Sequence, residues 1–176
     1  MKKINFYSFV LVVLCFVCGC GYTTKANLAP HLKTIYIKAL KNSIDFQTQG
    51  RRNVYLPLLE VDARDAIVDR FMMDGNLRIT DEDESDLILS GELKRYNREV
   101  LRSDDDDDVE EYRVRVTVSL KMYDIKNDEA MWSEPNFSGE ATYFVTGAQA
   151  TTEASAIEEA LEDLATRIVE RTMDNW

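Results

Sequence analysis

Few residues in this 176-residue chain offer a starting point for chemistry. His31 is the only histidine, it lies just ahead of the first strand-like segment, and no G-x-S-x-G accompanies it. No nucleophilic triad assembles around it, and it reads as a surface residue. The seven glycines are scattered singly, with neither a P-loop nor a dinucleotide fingerprint. Carboxylates are abundant, 32 in all, but they fall in runs or on the wet faces of helices rather than as a pair flanking a sugar. The five aspartates at 104–108 lack the alternate spacing and the glycine of a calcium loop, so they read as a solvated, self-repelling hairpin tip. No catalytic residue, metal or cofactor is expected. The one constellation with binding chemistry is basic. Lys94 and Arg98 share one parity, and Arg113, Arg115 and Lys121 share the polar parity of the next strand. Strand pairing could gather these five into an anion site suited to phosphorylated lipid headgroups. The competing reading pairs them with Glu92, Glu99 and Glu111.

Charge narrows the partners. With 21 Lys and Arg the net charge is −11, the wrong sign for nucleic acid. The N-terminus is an address. Lys2 and Lys3 precede an uncharged apolar run at 4–17, which as a helix reaches roughly 21 Å, short of the ~30 Å hydrocarbon slab. That is the proportion of a secretory leader. Val17-Cys18-Gly19-Cys20 follows and resembles a bacterial lipobox, whereas Cys15 and Cys18 are preceded by the bulky Leu14 and Val17. By this resemblance residues 1–19 are a signal peptide. Cys20 becomes an N-acylated, S-diacylglycerol-bearing terminus, and Gly21 fits sorting to the outer membrane. Cleavage leaves 157 residues at a net charge of −13, with no cysteine free for an internal disulfide.

The elements that must position these residues follow from periodicity. Residues 20–33 read as lipidated terminus and tether, and 34–176 as one folded domain. A β-branched and aromatic strand spans 34–40, followed by a polar connection at 41–53. Leu59, Ala63, Ile67 (or Ala66) and Phe71 recur at helical spacing after Pro57, which is placed in the first helical turn, and Asp74-Gly75 suits a left-handed cap. Met72 and Met73 read as core filler. A short strand at 77–80 precedes one from 86 to about 100. Tyr112, Val114, Val116, Val118, Leu120 and Met122 then alternate strictly with polar residues, the mark of a half-buried antiparallel strand. A further strand runs from Trp132 to Tyr143, interrupted or bulged at Pro135. The last helix is capped by Thr151 or Thr152 and carries a stripe of Ile157, Leu161, Leu164 and Ile168, with Asp163 and Arg167 paired one turn apart. The order β-α-β-β-β-β-α predicts an α+β two-layer sandwich, two helices packed on one face of a mixed, largely antiparallel sheet.

Several segments in this order resemble the lipopolysaccharide-assembly lipoproteins of the LptE family. They are Cys20-Gly21-Tyr22, the 32–37 strand, Asp74-Gly75-Asn76-Leu77-Arg78-Ile79, Asp86-Leu87-Ile88-Leu89-Ser90-Gly91 with Tyr96, Tyr112-Arg113-Val114, Trp132 before Phe137-Ser138-Gly139, and the 158–169 helix. The resemblance spans Cys20 to about Arg171. It implies a non-enzymatic outer-membrane lipoprotein that plugs the lumen of the β-barrel protein LptD, assists its assembly and helps deliver lipopolysaccharide to the cell surface. The domain would then lie in the barrel lumen or at the periplasmic face. A stand-alone module binding lipid or envelope polymer is the alternative, resting on the basic patch.

Overall fold

The computed structural model describes residues 28–44 and 57–174. The leader, Cys20, the tether up to residue 27 and most of the 41–53 connection lie outside the described residues. The described chain runs β1 (Thr34–Ile37), β2 (Lys41–Asn42), α1 (Leu59–Asp74), β3 (Arg78–Ile79), a short 3₁₀ turn (Glu82–Glu84), β4 (Leu87–Ser103), β5 (Val109–Asp124), β6 (Glu129–Phe144) and α2 (Glu153–Met173). The six strands form one sheet in the order β3-β1-β4-β5-β6, with β2 also on β4. β1 pairs parallel with both β3 and β4, which requires a crossover, and α1 supplies it. β4, β5 and β6 form an antiparallel meander. This is the expected two-layer α+β sandwich, with one addition. Lys41–Asn42, read as connection, pairs parallel with Glu92 and Leu93, too short a segment for alternation to reveal.

Both helices lie on one face of the sheet. Leu59, Ala63, Ile67 and Phe71 of α1, and Ala160, Leu164 and Ile168 of α2, close over Ile35, Leu87, Leu89, Leu93, Val116 and Val118. The left-handed cap falls on Gly75 (φ 73°), whose N–H donates to the Phe71 carbonyl, and Thr152 caps α2 by accepting from the Ser155 N–H. Pro57 stands ahead of α1 instead of in its first turn, and the capping position is Leu58 in a left-handed conformation. Met72 and Met73, expected inside, are 57% and 79% exposed, because Phe71 already occupies the inward position of that turn. Ala156 takes the buried position on α2 expected of Ile157, which is only half-buried.

Two close approaches fix the packing. A Cβ on Gly139 would stand 2.2 Å from the Ala160 carbonyl oxygen and 2.4 Å from the Leu164 nitrogen, so α2 lies backbone to backbone on β6. From there Asp163 accepts the Glu140 N–H at 3.0 Å, and Arg167 donates to the Ser138 carbonyl at 2.6 Å.

Candidate functional site

The free face of the sheet is set by pairing register, and register departs from simple alternation at several places, two of which decide the faces along β4. β4 shifts against β5 between Leu93 and Arg95, and again between Val100 and Arg102. Ahead of the first shift, Leu87, Leu89 and Leu93 face the helices. After it Tyr96 does, opposite Val116. Lys94 therefore stays on the free face, but Arg98 crosses to the helical side, opposite Val114. The parity that joined Lys94 to Arg98 fails because a β-bulge adds one residue and turns everything after it over.

On the helical side Arg98 belongs to a closed cluster. Its guanidinium donates to Glu153 Oε2 at 2.5 Å and lies 4.9 Å from the centre of the Tyr112 ring, which stacks on Tyr143. Tyr96 donates to Glu153 Oε1 at 2.7 Å. Burial and then this bond to a carboxylate push the Tyr96 phenol far above its ordinary value. Burial and the Glu153 charge push Tyr143 the same way. Glu153 opens α2, where a negative charge favours the helix dipole. The cluster fastens that helix end to the sheet and leaves Arg98 committed inward.

The other four candidates lie on the free face but do not converge. Arg113 and Arg115 are two residues apart on β5. Lys121 is eight residues from Arg113, about 27 Å along the strand. Arg115 donates from Nε (3.0 Å) and Nη2 (2.8 Å) to Glu140 across the β5–β6 ladder. That bond holds the Glu140 carboxyl below its ordinary range, helped by the charge of Arg113. Lys94 pairs with Glu92 at 3.0 Å, and Lys121 lies 5.2 Å from the Tyr123 ring centre. The expected partner Glu111 takes Arg102 instead, at 3.8 Å.

The bulge also brings Arg95 onto the free face, opposite Thr117 and diagonal to Arg115, a residue that alternation had not singled out. The signal was present. Leu93 and Tyr96 are apolar three positions apart, which breaks the period of two and marks the insertion. Arg95 and Arg113 carry no ion pair among the described residues; Arg95 stands opposite Thr117, Arg113 between Glu99 and Thr142, and Arg115 between Asn97 and Glu140, and the three form a basic ridge. Along β4, β5 and β6 this side carries six cations (Lys94, Arg95, Arg102, Arg113, Arg115, Lys121) and four carboxylates (Glu92, Glu99, Glu111, Glu140). The two helices carry eleven carboxylates against four arginines. The molecule is electrically two-sided.

His31 is not the surface residue expected. Its Nε2 lies 2.8 Å from Asp124 Oδ2, and that side chain is 1% exposed. Burial raises the Asp124 carboxyl, but bonds from His31 and from the Asn127 and Lys126 backbone outweigh it and hold the group below its ordinary value. Asp86 accepts from the Lys33 and Thr34 N–H groups and the Thr34 hydroxyl, with the same net lowering against a burial term that raises it. Leu32, read as tether, is buried beside them. The chain is thus docked from Leu28, at the end of the molecule opposite the aspartate hairpin. In that hairpin Asp104 Oδ1 accepts the Asp106 and Asp108 N–H groups, both at 2.9 Å, and the aspartates are exposed. Among the described residues no His, Cys, Asp and Glu cluster could hold a metal, and no helix is long and apolar enough to cross a membrane.

A model of the lipopolysaccharide-assembly family, LptE, matches residues 32–172. The chain belongs to the LptE family. No curated protein matches it in sequence. Among solved structures it is similar to a protein from Xanthomonas campestris, at 17% identity and a TM-score of 0.58, covering 84% of this chain and 90% of that one. A minor lipoprotein of Acinetobacter baumannii is 14% identical at 0.52, over 81% and 94% of the two chains. A hypothetical protein of Chlamydia trachomatis is 10% identical at 0.53, over 81% and 96%. These likenesses show a shared fold.

Proposed function

We propose that this LptE-family chain is a non-enzymatic lipoprotein, anchored in the outer membrane through acylated Cys20. It serves as the plug and assembly subunit of an LptD-like β-barrel and presents its free sheet face to lipopolysaccharide. The observation that carries the last part is the division of charge. A molecule at −13 repels an anionic glycolipid from most directions, and electrostatic steering leaves the face with Arg95, Arg113 and Arg115 as the approach. Phosphate groups there would find two arginines without ion pairs among the described residues, and guanidinium is the geometry for bidentate phosphate contact. No catalytic group is required. Family membership supports the barrel partner, and a rigid body of complementary shape is what a plug needs.

Two experiments test this reading. Affinity purification from membranes through a C-terminal tag is expected to recover a large β-barrel; recovery of the monomer alone favours a stand-alone lipid-binding lipoprotein. The triple variant Arg95→Glu, Arg113→Glu, Arg115→Glu is expected to weaken lipopolysaccharide binding at least about tenfold, which is about 1.4 kcal/mol. Unchanged binding removes the sheet face from the reading.

A further inference from the structure

On the opposite side, α1 and α2 do not close fully over each other. A groove of about 700 Å³ runs between them. Its apolar lining comes from Leu59, Ala66 and Met73 of α1 and from Ile157, Leu161 and Ala165 of α2. Met73 is the most exposed large apolar side chain described, and Ile157, half-buried against the edge of the core, also lines this groove. The rim is acidic: Asp62, Asp65 and Asp69 on one wall and Glu158 and Glu162 on the other, with Arg70 the lone cation of the lining. These carboxylates are spread along two helices and form no metal-holding group. An apolar trough lined on both walls by negative charge repels phosphate-bearing lipids. It complements a chain that is apolar on one side and basic along its flanks.

We propose that the groove between α1 and α2 is a docking site for a basic amphipathic segment of a partner protein, its apolar side chains seated on Ala66, Ile157 and Leu161 and its Lys or Arg flanks against Asp69 and Glu158. The inference does not depend on the lipopolysaccharide reading, because the two faces point away from each other and carry opposite charge.

The test uses the full chain purified in non-ionic detergent and a fluorescent synthetic peptide of Leu and Lys only, its leucines at helical spacing. Anisotropy is expected to report saturable binding. The exposed pair Glu158→Lys, Glu162→Lys should weaken it at least about tenfold. Ala66→Trp, which fills the trough while leaving every charge in place, should weaken it comparably. Asp105→Asn with Asp106→Asn at the distant hairpin should leave it unchanged, and a Leu–Glu peptide should not bind. Circular dichroism confirms that each variant is folded, and the two lysine substitutions, on exposed positions, keep the test intact if the tryptophan variant is not. The proposal is overturned if the hairpin variant weakens binding as much as the groove variants. Equal binding of the Leu–Glu peptide, or no binding at all, would overturn it too.

Discussion

Replacing Gly139 by alanine should be a severely damaging methyl addition, because it drives α2 off the sheet. The new Cβ would meet the Ala160 carbonyl oxygen at 2.2 Å, the Leu164 nitrogen at 2.4 Å and Leu164 Cβ at 2.6 Å. Two of these are helix backbone, which cannot rotate aside, so α2 must retreat by about 1 Å to restore ordinary contact. A gap of that size forfeits a quarter to a half of each dispersion contact the helix makes with β6, and overpacking of a filled interface costs about 1–3 kcal/mol. The upper end applies here because main chain is struck. The bonds from Asp163 to the Glu140 N–H and from Arg167 to the Ser138 carbonyl lengthen with the same movement, each contributing about 0.5–1 kcal/mol. The total is about 4–5 kcal/mol. For a chain of this size that lowers Tm by roughly 10 °C in a calorimetric or circular-dichroism melt. Gly75→Ala is the internal comparison. There the backbone is left-handed (φ 73°) but nothing lies within 4 Å, so the cost is conformational only, about 1–2 kcal/mol. Should Gly139→Ala melt within about 2 °C of wild type, or above Gly75→Ala, the backbone contact between α2 and β6 does not exist as described.

Other outcomes follow from the same geometry. The carboxyls of Asp86 and Asp124 are held below their ordinary values, so their stabilisation is complete above the unfolded carboxylate range near 3.8 and is lost as pH falls through the lower folded values. Urea unfolding is therefore expected to show stability declining below about pH 4, and Asp124→Asn should be less stable at pH 6 with a shallower acid slope. A parallel slope in the variant would remove Asp124 from the account. Glu153→Ala strands the Tyr96 hydroxyl and the Arg98 guanidinium and should cost about 2 kcal/mol, with faster amide exchange confined to the first turns of α2. Uniform loss across the sheet would contradict a local tie. Cys20→Ala is expected to leave an unprocessed chain without acyl groups, visible by mass spectrometry; acylation persisting in the variant refutes the anchor.

Layer architecture was legible because it depends on periodicity sustained over many residues. The run Tyr112 to Met122 announced a half-buried strand, and Leu59, Ala63, Ile67 and Phe71 announced one helix face, since burying a single face leaves few solutions. Asp74-Gly75 and Thr152 were legible through local chemistry that needs no tertiary information. The misses occur where one residue changes phase or a distant partner decides. A single insertion at Lys94 removed Arg98 from the basic face and put Arg95 there. His31 was unreadable because its partner Asp124 is 93 positions away in sequence. Met72 and Met73 are apolar yet exposed because helix rotation had already assigned the inward position to Phe71, and composition carries no rotation angle.

The way α2 lies along β6 matters for the company this chain is proposed to keep. A half-built barrel is full of strands searching for a neighbour, and any bare strand beside it invites stitching by main-chain bonds. Along Ser138–Glu140 the outward amide and carbonyl are already taken, by Asp163 and Arg167. Two of the ladder positions that a nascent wall would need along this stretch are therefore occupied. Main-chain pairing with a stray neighbour is thereby hindered along this part of β6.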